Sequence, residues 1–175
     1  MVDLDMLDAD ALRQLQAPLK KQYRQSPESA LITLKAQGRL GEGITCKVET
    51  GKALVDAGLH PATGGNGLVA CSGDMLLEAL VACAGVTLAA VATSISVKLH
   101  DATIRAEGDL DFRGTLGVSK DVAVGFQRIR LYFDLDTDAT DEQVASLIRL
   151  TERYCVVLQT LRQVPEIMTT SVKKL

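Results

Sequence analysis

The side chains of this sequence best suited to chemistry are four cysteines, Cys46, Cys71, Cys83 and Cys155, and two isolated histidines, His60 and His100. No Cys-x-x-Cys pair occurs and the histidines stand apart, so the spacing fits neither a zinc site nor a disulfide framework. That leaves thiol chemistry. In a reducing compartment these cysteines rest as thiols, and any disulfide would be transient and catalytic. Cys83 sits in the middle of residues 72–93, which are apolar on nearly every face. At helical spacing it shares a side with Leu76, Ala79, Leu80, Val86, Thr87 and Ala90, a dry and small surface. Taken alone, a cysteine there reads more readily as inert core than as a nucleophile. Cys71 falls just before Ser72, the expected helix N-cap, where a helix N-terminus can lower a thiol pKa. It is a candidate for a redox-sensing thiol. Cys46 alternates with Ile44 and Val48 on one side of an expected strand and reads as a small core residue.

The elements that must position these thiols follow from pattern. Residues 72–93 predict a helix buried all round, with Asp74 favouring the positive end of its dipole. Before it, residues 8–24 carry a helical stripe (Leu12, Leu15, Leu19, Tyr23) interrupted by Pro18, an N-terminal arm over residues 1–25. Residues 29–38 and 44–50 predict a hairpin turned by Gly41-Glu42-Gly43. The loop His60-Pro61-Ala62-Thr63-Gly64-Gly65-Asn66-Gly67 is glycine-rich but lacks the Gly-Lys-Ser/Thr ending of a P-loop, and His60 in it is a solvated loop residue. Residues 96–112 and 126–135 alternate apolar and polar and should pair antiparallel. Thr137 to Glu142 open a second helix running to about Leu158, with Cys155 near its end. Residues 166–172 predict a short terminal strand. The order of strands, buried helix, strands, helix and strand is α+β, with antiparallel sheets packed around two long helices.

Composition narrows the partners. With 175 residues, 47% of them hydrophobic, one core and one main domain over residues 26–175 are expected. The 19 basic and 22 acidic residues include no basic run, so neither nucleic acid nor an anionic membrane surface is indicated. The acidic N-terminus is unlike a secretory signal, which points to the cytoplasm. The uncharged stretch between Glu78 and Lys98 approaches the length of a membrane span, but no Trp or Tyr belt flanks it. No metal, flavin or haem motif is present.

Residues 72–83, Ser-Gly-Asp-Met-Leu-Leu-Glu-Ala-Leu-Val-Ala-Cys, resemble the first cysteine motif of the osmotically inducible and organic hydroperoxide resistance proteins, the OsmC/Ohr family. Residues 152–161, Glu-Arg-Tyr-Cys-Val-Val-Leu-Gln-Thr-Leu, resemble the second. Order and spacing agree over roughly residues 29–173, leaving the N-terminal arm outside. The resemblance implies a thiol-dependent peroxidase that takes organic hydroperoxides. Cys83 would attack the O–O bond and become a sulfenic acid, Cys155 would resolve it to a disulfide, and an external dithiol would reduce the pair again. It also implies an intertwined homodimer and an arginine, held by an acid, that keeps the nucleophile ionised. Arg39, just after the first expected strand, is the best-placed arginine, and Asp74 lies nearest the family's acid position. Glu78 is five residues from Cys83, roughly 140° around the helix, and faces elsewhere.

The family commonly has proline after the second cysteine, where this chain has Val156. Valine lacks proline's power to break the helix, so the expected helix continues past Cys155. An alternative of another class is a non-catalytic protein of the same fold that binds a hydrophobic small molecule and uses its cysteines for packing.

Overall fold

The computed structural model of the chain describes residues 8–26, 37–40, 45–49, 54–117 and 119–173. An N-terminal helix α1 (Ala9–Gln25) runs through Pro18 and touches the central helix. Strands β1 (Gln37–Leu40), β2 (Thr45–Glu49) and β3 (Leu54–Gly58) pair antiparallel in that order. A two-residue β4 (Ala70–Cys71) joins β3 in parallel and leads directly into helix α2 (Ser72–Ser94). β1 and β2 pair as a hairpin, as expected, but β1 runs two residues past the expected end at Gly38, so Arg39 lies inside the strand and not after it; residues 29–36 lie outside the described residues.

Strands β5 (Asp101–Asp109) and β6 (Arg128–Asp136) form a separate two-stranded ladder, in register from Asp101 opposite Asp136 to Asp109 opposite Arg128. Burial alternates strictly along β5, as its sequence predicts. The connection between them holds a single turn of helix, α3 (Phe112–Thr115), capped by the Asp111 carboxylate. Helix α4 (Asp141–Tyr154) begins with a reciprocal capping box: Gln143 N–H donates to Thr140 Oγ1 at 3.3 Å, and Thr140 N–H to Gln143 Oε1 at 2.9 Å.

One side of α2 builds the core. Leu88, Val91 and Ala92 pack on Leu147 of α4 and on Val97, while Leu80 and Ala84 pack around Cys155. Ile104 and Phe133, opposite each other in the β5–β6 ladder, touch both groups and join them.

Three expectations need correction. The central helix is not buried all round in the single chain. Its buried residues follow one stripe, while Leu76 is 37% and Val86 74% exposed, because β5, α4 and the helix after it cover one side and α1 touches the helix without enclosing the rest. Its N-cap is Cys71, not Ser72: Cys71 is still extended (φ −84°, ψ 133°), and Ser72 is the first helical residue. Finally, residues 166–172 form no strand. They are exposed throughout and have no ladder to join, and unpaired backbone gains nothing from a strand conformation.

Candidate active site

The second long helix breaks where the sequence suggested it would continue. Cys155 ends α4 with φ −70° and ψ 106°, and a short helix α5 (Val156–Arg162) starts immediately after it. That ψ swings the chain out of the helical path with no proline present. The break sets Cys155, fully buried, against Leu80 and Ala84 of α2, and Cys83 packs against this same cluster together with Val157, Leu158 and Leu161. Two thiols far apart in the chain thus meet in one apolar neighbourhood. Both are free thiols, Cys83 half-buried at the edge of the α2 core stripe and Cys155 enclosed behind it.

Their surroundings push them in opposite directions. Burial disfavours the Cys83 thiolate, but the backbone N–H groups of Val157 and Val156, the Cys155 thiol and the Thr87 hydroxyl outweigh it, and the Cys83 pKa falls below the ordinary thiol value. Burial raises the Cys155 pKa, and the neighbouring Cys83 raises it further, against partial relief from the amides of Leu158 and Val157. One thiol is prepared to ionise beside a second that keeps its proton. An S–H donor facing a thiolate is what this pairing makes available. Thr151, one turn before Cys155 on α4, is also fully buried, and its hydroxyl has no hydrogen-bond partner.

The other sequence candidates sit elsewhere. Asp74 lies in the first turn of α2, nine positions before Cys83, so it is about 13 Å away along the axis and about 180° around it. Asp74 and Glu78 line an open cleft with Leu77, Val81 and Ala106. Arg39 stands in β1 opposite Lys47 of β2, and its side chain lies outside the described residues. Cys71 borders a different cleft, beside His60, Asp74, Asp109 and Phe112. The His60 ring stacks on Phe112 at 5.0 Å and its Nδ1 accepts from Ala62 N–H, so the imidazole orders a loop. Among the described residues no three His, Cys, Asp or Glu side chains gather as a metal site. The contributions that sequence reasoning missed are the amides of Val156 and Val157, which have no signature in side-chain type, and Thr87, whose position one turn after Cys83 was the available signal.

A sequence model described as OsmC-like protein matches residues 65–170, more than half of the chain. The chain belongs to the OsmC-like family. Among curated proteins no match is found. Solved structures agree on the OsmC-like fold: an OsmC-like protein from Mycoplasma pneumoniae superposes with a TM-score of 0.65 at 15% identity, over 76% of this chain and 89% of that one. An organic hydroperoxide resistance protein from Elizabethkingia anophelis gives 0.62 at 18%, covering 77% and 91%. Another, from Legionella pneumophila, gives 0.60 at 18%, covering 76% and 91%. At such identities the likeness is one of fold. Within this OsmC-like chain α2 is long and apolar enough to cross a bilayer by length and composition, yet one of its sides is the core of the folded domain.

Proposed function

We propose that this OsmC-like protein is a thiol peroxidase for organic hydroperoxides, with Cys83 as the attacking thiol and Cys155 as the resolving one. The observation that carries this reading is the pair itself: two free cysteines in one cluster, the half-buried one with its pKa lowered and the buried one with its pKa raised. The Cys83 thiolate attacks the distal oxygen of ROOH, the O–O bond breaks, and RO⁻ leaves and takes a proton to become ROH. Cys83 is then a sulfenic acid. The Cys155 sulfur attacks the Cys83 sulfur, water departs carrying the sulfenic oxygen, and a disulfide remains. An external dithiol reduces it by exchange and is itself oxidised. Apolar neighbours such as Leu80, Val157 and Leu161 suit the organic group of the peroxide.

Arg39 is kept in this reading as the cation that assists Cys83. Asp74 faces away from Cys83 around α2, so in this reading it acts only by holding Arg39 and not by touching the thiol. The exposed apolar side of α2 supports a homodimer. A cytoplasmic site of action, where disulfides are transient and catalytic, suits the two-thiol cycle.

The test is peptide mapping by mass spectrometry after one equivalent of an organic hydroperoxide, on wild type, Cys83→Ser and Cys155→Ser. A Cys83–Cys155 disulfide in wild type, a trapped Cys83 sulfenic acid in Cys155→Ser and no oxidation in Cys83→Ser are expected. Persistently reduced thiols in wild type would turn the assignment to the apolar-ligand alternative.

A further inference from the structure

The break between α4 and α5 redistributes a definite set of backbone groups. In an unbroken helix each N–H pairs with the carbonyl four residues earlier. The ψ of 106° at Cys155 removes that pairing for the amides of Val156, Val157 and Leu158, whose helical acceptors would be the carbonyls of Glu152, Arg153 and Tyr154. The bonds on either side survive: Cys155 N–H donates to Thr151 O and Gln159 N–H to Cys155 O, both at 2.9 Å. Arg153 and Tyr154 are exposed, so water can serve their carbonyls. Glu152 is half-buried, and its carbonyl has a protein donor instead. Gln159 Nε2, itself half-buried, donates to it at 2.7 Å.

This exchange of partners is selective. The Glu152 carbonyl is the acceptor that Val156 N–H would regain if the two helices fused. Of the amides left free by the break, Val156 and Val157 are the two that serve the Cys83 sulfur. An ion pair also crosses the break, Arg162 to the Glu152 carboxylate at 3.2 Å, but both side chains are at least 40% exposed and such pairs hold little.

We propose that Gln159 is a positioning residue for the Cys83 thiol: by occupying the Glu152 carbonyl it keeps the α4–α5 break open and the Val156 and Val157 amides turned towards Cys83. A proline at position 156 would hold the break open by removing the donor; in this chain the acceptor is occupied instead. When Gln159 loses its N–H, Val156 N–H can return to Glu152 O, the helices join, and Cys83 loses its two amides. The inference rests on the reading of Cys83 as the attacking thiol.

Gln159→Met keeps the length of the side chain and removes the donor without adding a charge near the thiol. The readout is the pH dependence of Cys83 alkylation by iodoacetamide in the full reduced chain, followed by peptide mapping, with the thermal midpoint recorded in parallel. Gln159→Met should move the half-maximal pH upward and slow alkylation at pH 7 by about tenfold or more, since each hydrogen bond lost by a charged group is worth at least that much. If Gln159→Met does not fold, Gln159→Leu, equally uncharged and without a donor, takes its place. An unchanged profile in the folded donor-less variant overturns the proposal. Alkylation needs no peroxide, so a wild type whose Cys83 ignores hydroperoxides would defeat the peroxidase reading separately.

Discussion

Thr87 donates its hydroxyl to the backbone carbonyl of Cys83 at 2.7 Å, one helical turn beyond the thiol. The same hydroxyl favours the Cys83 thiolate and lowers its pKa, behind the larger contributions of the Val157 and Val156 amides and the Cys155 thiol. Thr87→Val should therefore raise the Cys83 pKa. Alkylation of Cys83 is expected to slow severalfold at pH 7 and to match wild type well above 9.0, the ordinary thiol value. Thr87→Ser, which retains the hydroxyl, should behave as wild type. Equal rates for Thr87→Val and wild type at pH 7 would remove Thr87 from the site.

The two thiols also predict opposite slopes of stability against pH. The folded-state pKa of Cys83 is depressed, so its contribution is fully present above 9.0 and is lost as pH falls through the lowered value. The folded-state pKa of Cys155 is raised, so its contribution is present below 9.0 and is lost as pH rises through the raised value. Thermal midpoints of the reduced protein between neutral and strongly alkaline pH check this. Relative to wild type, Cys83→Ala should lose the gain that leads up to 9.0, and Cys155→Ala should lose the decline that follows it.

How far the sequence discloses this arrangement depends on the kind of signal each part leaves. β5 and β6 are legible because alternation along each strand is a local property, and Ile104 and Phe133 then fall on the shared inner side. The span of α2 is legible from its apolar, alanine-rich run, but the side left open is not, since composition does not say how many elements cover a helix. The break at Cys155 left no mark, because its usual marker is proline. Here it is accompanied by Gln159 reaching back seven residues to Glu152 O, a contact outside helical periodicity. Asp74 shows the limit of motif position as a guide: close in sequence to the family's acid, it is half a turn away from Cys83 around the helix. Residues 166–172 carry strand-forming side chains, but a strand also needs a neighbour, which no local pattern supplies.

Thr151 is a stability prediction of its own. Thr87 and Thr93 return their hydroxyls to the carbonyls of Cys83 and Ala89, whereas the Thr151 hydroxyl is buried with no partner. A desolvated, unpaired hydroxyl costs about 1–3 kcal/mol, and an apolar group of the same shape removes that cost. Thr151→Val is expected to raise the unfolding free energy by roughly 1 kcal/mol in urea titrations. A loss of stability would mean that the hydroxyl is satisfied in solution, for example by an enclosed water.

Val86 tests the proposed homodimer. It is 74% exposed on the open side of α2, beside Ala82, Ala89 and Ala90, which are exposed as well. A lysine at this position meets little within its own chain, so the fold of one protomer should tolerate it. If a second copy covers this side, the same lysine places a charge in an apolar contact and must lose hydration there. Val86→Lys should then shift the mass measured by sedimentation or light scattering from dimer towards monomer. Far-ultraviolet circular dichroism should stay unchanged. A wild type that is already monomeric, or a variant that stays fully dimeric, would show that α2 does not pair through this side.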